Sequence, residues 1–310
     1  MKKDIKGGMI AFICAIIVLT PLRKILLYLF PPLEHHSLIL LLAEIGCLFL
    51  GLALFMAVST LIKKKKGTVE VAQEETETET SEPLYHEKFG WIEFVKGAIL
   101  CLVTWLVLNI SFLRVLGIKN EFLLANDNFV IYAFLFVLFL VAYWKMIVGI
   151  IKTFAKDKRK KQKIEQVFIA AGVVIVVSVA CFVILDKLQV SNPNEEGLSE
   201  WTESSAFLSL LTCVLLGPVT EELNYRFFWF RSFGKINRIF AHIATAILFG
   251  AIHVTVPFLM TGDWRVLLNL IPYAVMGLGM SITYEKTHSL IYSFMLHALI
   301  NLLATFGNIF

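Results

Sequence analysis

Long apolar runs are the feature of this 310-residue sequence that most limits what it can fold into. Each run has about 20 residues, the length that an α-helix needs to cross a bilayer. Hydrophobic residues make up 58% of the chain and charged residues 17%, whereas a soluble domain carries about 25% charged residues. This composition excludes a disordered chain, a collagen-like chain and a nucleic-acid-binding domain. The sequence therefore predicts a bundle of transmembrane helices.

The runs predict an all-α, polytopic bundle of about eight or nine spans. The candidate spans are 8–30, 37–62, 90–114, 128–151, 164–187, 204–230, 238–258, 265–285 and 288–308. For the first of them, a cleaved signal peptide is the alternative interpretation. Apolar sequence resumes at Ile25, which favours a retained helix.

Basic residues are concentrated in alternate loops, including residues 63–66 and 156–163, whereas residues 191–203, which are expected to form an outer loop, are acidic. Because Lys and Arg accumulate on the cytoplasmic side of a membrane, we expect a multi-pass plasma-membrane protein with a cytoplasmic N-terminus. Basic runs of this kind can also contact acidic lipid head groups.

The chain is expected to have two parts. Residues 1–163 form an N-terminal transmembrane region, and residues 164–310 form a C-terminal catalytic membrane bundle. The N-terminal region includes the acidic, low-complexity linker 67–88, which cannot bury apolar surface and is expected to be disordered. The five cysteines each lie singly inside an apolar run, which argues against a disulfide framework or a thiolate metal site.

Ionisable side chains inside an apolar span are costly, so they indicate functional sites. Glu221, Glu222 and Arg226 lie within six residues in one predicted span. Glu222 and Arg226 are four positions apart on one helix face, where they can form an ion pair. Glu221 is rotated by about 100° from that face and stays available as a general base. A structural salt bridge beside an interfacial Glu221 is the alternative.

Two later spans carry polar residues at the same spacing. Phe249 and His253 share one helix face, and His297 and Asn301 share a face of the last span. Counting the helical rise from the inner loops places Glu221, both histidines and Asn301 at a depth of about 13–22 Å. We therefore expect three helices to bring these groups into one hydrated cavity at mid-bilayer. A histidine that merely packs inside the bundle is the alternative for His253.

Hydrolysis of a peptide bond fits this set of groups. Glu221 with His253 would activate water, and His297 with Asn301 would donate hydrogen bonds to the oxyanion. A zinc site formed by Glu221, His253 and His297, with water as the fourth ligand, is the alternative. The sequence lacks the HExxH pattern, which favours chemistry without a metal or another cofactor.

Three motifs, TEELNYR, FGAIH and HALIN, follow one another in separate apolar spans. Together they resemble the signature of the CAAX-protease and bacteriocin-processing (CPBP, or Abi) family of intramembrane glutamic endopeptidases, over about residues 204–308. The resemblance implies that Glu221 is the catalytic base and that His253 assists it. It also implies that His297 and Asn301 form the oxyanion site. Supporting roles are implied for Glu222, Arg226 and Phe249.

The implied substrate is a peptide or a membrane-associated protein. Membrane lipids are the other expected partners, and binding to nucleic acid is not expected. Two other classes of function remain as alternatives. One is a transporter, in which the buried acid, histidines and arginine form a proton relay or a substrate site. The other is a membrane scaffold that acts by binding alone.

Overall fold

The computed structural model describes residues 89–109 and 117–309. These residues form helices and no strand, which confirms the all-α prediction for this part of the chain. The predicted spans 8–30 and 37–62 and the linker 67–88 lie outside the described residues. Within the described part, seven helices are long and apolar enough to cross a membrane. The chain is thus a multi-pass membrane protein.

The described residues form one short helix and the seven longer ones. They are α1 (Trp91–Asn109), α2 (Glu121–Ala125), α3 (Asp127–Lys156), α4 (Lys160–Lys187), α5 (Pro193–Gly234), α6 (Arg238–Thr261), α7 (Leu270–Thr287) and α8 (Leu290–Ile309). A 3₁₀ turn, Trp264–Asn269, precedes α7. Two stretches of α5, Thr212–Leu216 and Leu223–Phe230, are π-helical.

The outer faces of the helices are apolar. Val141 of α3 is 74% exposed, and Ile169 and Val176 of α4 are 68% and 69% exposed. A soluble monomer rarely exposes a continuous apolar surface of this kind, whereas lipid chains cover it favourably. The exposed apolar faces and the lengths of the helices therefore both indicate that the helices span a membrane.

Helix α5 begins earlier than the sequence predicted. The acidic residues 191–203 were expected to form an outer loop, but a helix starts at Pro193. A proline suits the first turn of a helix, and Glu195 and Glu196 lie near the positive end of its dipole. Ser205 has non-helical backbone angles (φ −149°, ψ 55°), which separate this acidic segment from the membrane-spanning part.

The second half of α5 is the centre of the bundle. All eight residues of Leu223–Phe230 are buried. The ring of Phe228 packs against Phe94 of α1, with centroids 5.6 Å apart, and Phe227 packs against Tyr143 of α3 at 5.3 Å. Helices α6 and α7 also contact this stretch. An aromatic run that could have faced lipid is therefore protein core.

Asp157 ties the turn between α3 and α4 to α8. Its carboxylate accepts hydrogen bonds from the Lys163 ammonium group and the Tyr292 hydroxyl, both at 2.9 Å, and from the Arg159 backbone at 2.8 Å. Burial raises the pKa of Asp157, but these hydrogen bonds outweigh burial and lower the pKa to about 2. The charged carboxylate thus joins the ends of three helices.

Helices α6 and α7 approach each other closely because glycines lie at their contact. A side-chain carbon added at Gly250 would lie 2.8 Å from the Leu270 carbonyl oxygen. One added at Gly277 would lie 3.0 Å from the Cβ atom of Phe249. Small residues let helix backbones approach in membrane proteins, where the hydrophobic effect does not drive helices together. This contact fixes Phe249 and the next turn of α6 against α7.

We expect Gly250→Ala to destabilise the protein by about 2 kcal/mol, because the new methyl group meets backbone atoms that cannot rotate away. Gly172→Ala in α4 is the matched control, since no described atom lies within 4 Å of the added carbon. Thermal unfolding of the two variants in detergent measures the difference. An equal Tm for Gly250→Ala and Gly172→Ala would contradict the close contact of α6 and α7.

Candidate active site

A buried ion pair lies at the centre of the candidate site. The Arg226 Nη1 atom is 3.2 Å from Glu222 Oε1, and the two side chains are 0% and 3% exposed. The pair has the spacing of four that the sequence predicted. Arg226 also donates through Nη2 to the Gly277 carbonyl oxygen at 3.0 Å, and its guanidinium lies 5.1 Å from the Phe249 ring centroid. The arginine therefore links α5 to both α6 and α7.

Glu222 is bonded on its other side to α8. Its Oε1 atom lies 2.9 Å from Nδ1 of His297, and its Oε2 atom accepts a hydrogen bond from the Ser293 hydroxyl. A carboxylate only accepts hydrogen bonds, so Nδ1 of His297 carries the hydrogen. The opposite ring atom, Nε2, is then a donor only when the imidazole is doubly protonated. Glu222 is thus bonded to buried groups of α5 and α8.

Glu221 has a different environment from its neighbour. Its Oε1 atom accepts a hydrogen bond from the Tyr132 hydroxyl at 3.0 Å, and its Oε2 atom is 3.8 Å from His297 Nε2. The second distance is longer than a direct hydrogen bond. The side chain is 13% exposed, compared with 3% for Glu222. Glu221 is therefore the more accessible carboxylate of the two.

His253 is held in one orientation by three contacts. Its Nδ1 lies 2.8 Å from the Phe249 carbonyl oxygen, one helical turn back. Because a carbonyl only accepts, Nδ1 carries the hydrogen, and Nε2 is the atom that can accept a proton. The ring stacks on Tyr273 of α7, with centroids 4.5 Å apart and planes 17° apart. The Phe249 ring lies 4.8 Å from the His253 ring and 5.5 Å from the His297 ring, so it is wedged against both imidazoles.

Asn301 bonds to the backbone of α5. Its amide nitrogen donates to the Cys213 carbonyl oxygen at 2.8 Å. Cys213 lies in the π-helical stretch Thr212–Leu216, where the backbone departs from the ordinary hydrogen-bond pattern. An asparagine amide has two N–H groups, so this contact occupies one and leaves a second donor. The same bond ties α8 to α5 one turn beyond His297.

Sequence reasoning missed three residues that touch these groups. Ser293 lies four positions before His297, in the apolar sequence beside the last motif, so the helical spacing could have indicated it. Tyr132 contacts Glu221 across a separation of 89 residues, and no local pattern could have indicated that. Tyr273 is held through its hydroxyl, which donates to Glu195 at 2.8 Å.

Metal binding was the alternative for Glu221, His253 and His297. Among the described residues, no group of three or more His, Cys, Asp and Glu side chains could hold a metal ion. Glu221 and His297 are adjacent, but His253 is directed through Nδ1 to the Phe249 carbonyl. Chemistry without a metal stays a prediction that a chelator experiment must test.

We expect Arg226→Met to destabilise the protein by about 3–5 kcal/mol, because it leaves the Glu222 carboxylate buried without its cation. Arg265→Met is the control, since Arg265 pairs with Asp263 in an ion pair whose side chains are 51% and 30% exposed. Exposed pairs contribute little to stability. Unfolding in detergent, followed by circular dichroism, compares the two variants. Similar small effects on Tm would show that the buried pair does not organise the bundle.

Comparison with known proteins identifies the segment that carries these groups. Residues 203–303 match the sequence model of the family described as "Rce1-like: Type II CAAX prenyl endopeptidase Rce1-like". No curated protein and no solved structure matches the chain. The matched segment contains all three motifs, TEELNYR, FGAIH and HALIN. The resemblance to the CPBP family is thereby confirmed over residues 203–303, which are similar to the Rce1-like type II CAAX prenyl endopeptidases.

Proposed function

We propose that this protein is a membrane-embedded endopeptidase in which Glu221 is the general base. The observation that carries the proposal is the unequal environment of two adjacent carboxylates. Glu222 is enclosed and bonded to Arg226, His297 and Ser293. Glu221 is partly exposed, and its Oε2 atom faces the imidazole of His297. The similarity of residues 203–303 to a family of membrane proteases supports the same reaction class.

A carboxylate that acts as a base must hold a fixed position and still exchange protons with water. Glu222 meets only the first condition, because a proton on its carboxyl group would weaken its pairing with Arg226. Glu221 meets both, since Tyr132 holds one of its oxygens and its side chain is 13% exposed. The pair formed by Glu222 and Arg226 then acts as the rigid support for Glu221.

In the proposed reaction, Glu221 takes a proton from water, and the oxygen of that water bonds to the carbonyl carbon of the substrate. The carbonyl oxygen becomes an oxyanion, which Asn301 and the doubly protonated form of His297 stabilise by donating hydrogen bonds. The carbon–nitrogen bond then breaks, and the proton passes to the leaving amine. His253 assists the proton transfer through its Nε2 atom, whose orientation is set by Phe249 and Tyr273.

The proposed substrate is a peptide or a membrane-associated protein. A prenylated protein with a C-terminal Cys-a-a-X sequence is the first one to test, because the family description names this class. The proposed location is the plasma membrane, with a cytoplasmic N-terminus. The basic residues 156–163 between α3 and α4 support this orientation.

Glu221→Gln should lower cleavage by about 100-fold or more, since an amide cannot take the proton from water. His253→Ala should also lower the rate of cleavage strongly, because it removes the group proposed to assist the proton transfer. The assay is the release of fluorescence from an internally quenched peptide that ends in a prenylated Cys-a-a-X sequence, with purified protein in detergent. The appearance of new peptide termini in membranes from cells that make the wild type, compared with Glu221→Gln, extends the search to unknown substrates.

Glu203→Gln is the matched control, because Glu203 is an exposed carboxylate on the same helix. It should cleave at the wild-type rate. If Glu221→Gln kept full turnover of a substrate that the wild type cleaves, the proposed base would be wrong. Proton-coupled transport by reconstituted protein that cleaves no peptide would instead favour the transporter alternative.

A chelator should leave the activity unchanged if the reaction needs no metal. Purified protein is incubated with 1,10-phenanthroline and assayed for cleavage of the same peptide, and a zinc metalloprotease serves as the positive control. Loss of activity that added Zn²⁺ restores would establish the zinc alternative with Glu221, His253 and His297.

A further inference from the structure

We propose that Tyr132 of α3 is a positioning residue for the Glu221 carboxylate. Tyr132 lies outside the family-matched segment 203–303 and within the part of the chain expected to be an N-terminal region. A helix that the motifs do not include therefore completes the site. The inference rests on the proposed function of Glu221 as the base. Its experiments can contradict the role of Tyr132 without contradicting that function.

The contact distinguishes the two oxygens of Glu221. The Tyr132 hydroxyl donates to Oε1 at 3.0 Å, whereas Oε2 faces Nε2 of His297 at 3.8 Å. A hydrogen bond from a phenol stabilises the charged form of a carboxylate and also limits its rotation. Tyr132 thus holds one oxygen in place and leaves the other, Oε2, to receive the proton.

The backbone of α5 is shaped to let the Tyr132 ring reach Glu221. Gly217 lies one helical turn before Glu221 on the same face. A side-chain carbon added at Gly217 would lie 3.6 Å from Cε1 of Tyr132, 3.5 Å from Oε1 of Glu221 and 3.1 Å from the Thr212 carbonyl oxygen. A residue larger than alanine would therefore displace the tyrosine ring or the carboxylate. The Tyr132 ring and the Glu221 carboxylate therefore meet beside Gly217, where there is no side chain.

Helix α3 is anchored on both sides of Tyr132. Ile131 and Leu135 are 5% and 0% exposed and pack in one cluster with Val107 of α1. Asn126, just before α3, accepts a hydrogen bond at 3.0 Å from the indole nitrogen of Trp201 in α5. These contacts fix the height and rotation of α3 relative to α5. The Tyr132 hydroxyl is therefore presented to Glu221 by a rigid element.

The same helix supplies a matched control. Tyr143 lies three turns further along α3, is 4% exposed, and packs against Phe227 of α5. Its hydroxyl makes no hydrogen bond to the part of the chain that the structure describes. Removing that hydroxyl changes the same number of atoms on the same helix without touching Glu221.

With the quenched prenylated peptide as probe, Tyr132→Phe should lower kcat about tenfold, the effect of losing one hydrogen bond to a charged group. KM should stay within about twofold, because Tyr132 acts on Glu221 and does not bind the substrate. Tyr143→Phe should change neither constant. Wild-type kcat for Tyr132→Phe, alongside inactive Glu221→Gln, would overturn this inference and leave the proposed function intact.

A double-mutant cycle tests the contact without any substrate. The variants are Tyr132→Phe, Glu221→Leu and the combination, and the readout is Tm in detergent. If the two groups interact, the effects on Tm are not additive, whereas Tyr143→Phe combined with Glu221→Leu is additive. Additive effects for Tyr132 and Glu221 would overturn the inference, even for a protein that cleaves none of the peptides tested.

Discussion

The buried ion pair between Glu222 and Arg226 is the interaction on which the rest of the structure depends. Two charges enclosed at the centre of a membrane protein are costly, so they pair with each other and take further polar partners. Those partners come from different helices: His297 and Ser293 from α8, and the Gly277 carbonyl from α7. These contacts bring α5, α7 and α8 together and at the same time set the positions of Glu221 and His297.

Local patterns in the sequence were enough to predict the membrane-spanning helices of the described residues and the ion pair. Apolar runs indicated the spans, and the spacing of four indicated that Glu222 would meet Arg226. The acidic residues 191–203 were misjudged because charge suggested a loop, whereas Pro193 and the acidic first turn favour a helix start. Apolar composition also could not distinguish lipid-facing helices from the buried aromatic stretch Leu223–Phe230, since both environments select the same residue types.

Most of the tertiary contacts of the site could not be predicted. The depth argument placed Glu221 and His297 at a similar level, and the two side chains are indeed neighbours. The stacking of His253 on Tyr273 and the bond from Asn301 to the Cys213 carbonyl depend on how helices rotate and on a π-helical turn, neither of which a periodic pattern reveals. The contact of Tyr132 with Glu221 joins segments that no motif connects.

The π-helical stretch Leu223–Phe230 has a consequence for how this protein tolerates change. A π turn accommodates one more residue than an α turn, so removing one amino acid there would let the coil relax to ordinary geometry. The helix on either side would then keep roughly its rotation, whereas the same deletion in an ordinary α-helical stretch would turn one side by about 100° relative to the other. The acids lie before this stretch and the aromatic anchors within it. The alignment of the acids with the rest of the bundle should consequently be less sensitive to the loss of one residue here than to the same loss in the α-helical turns of α5.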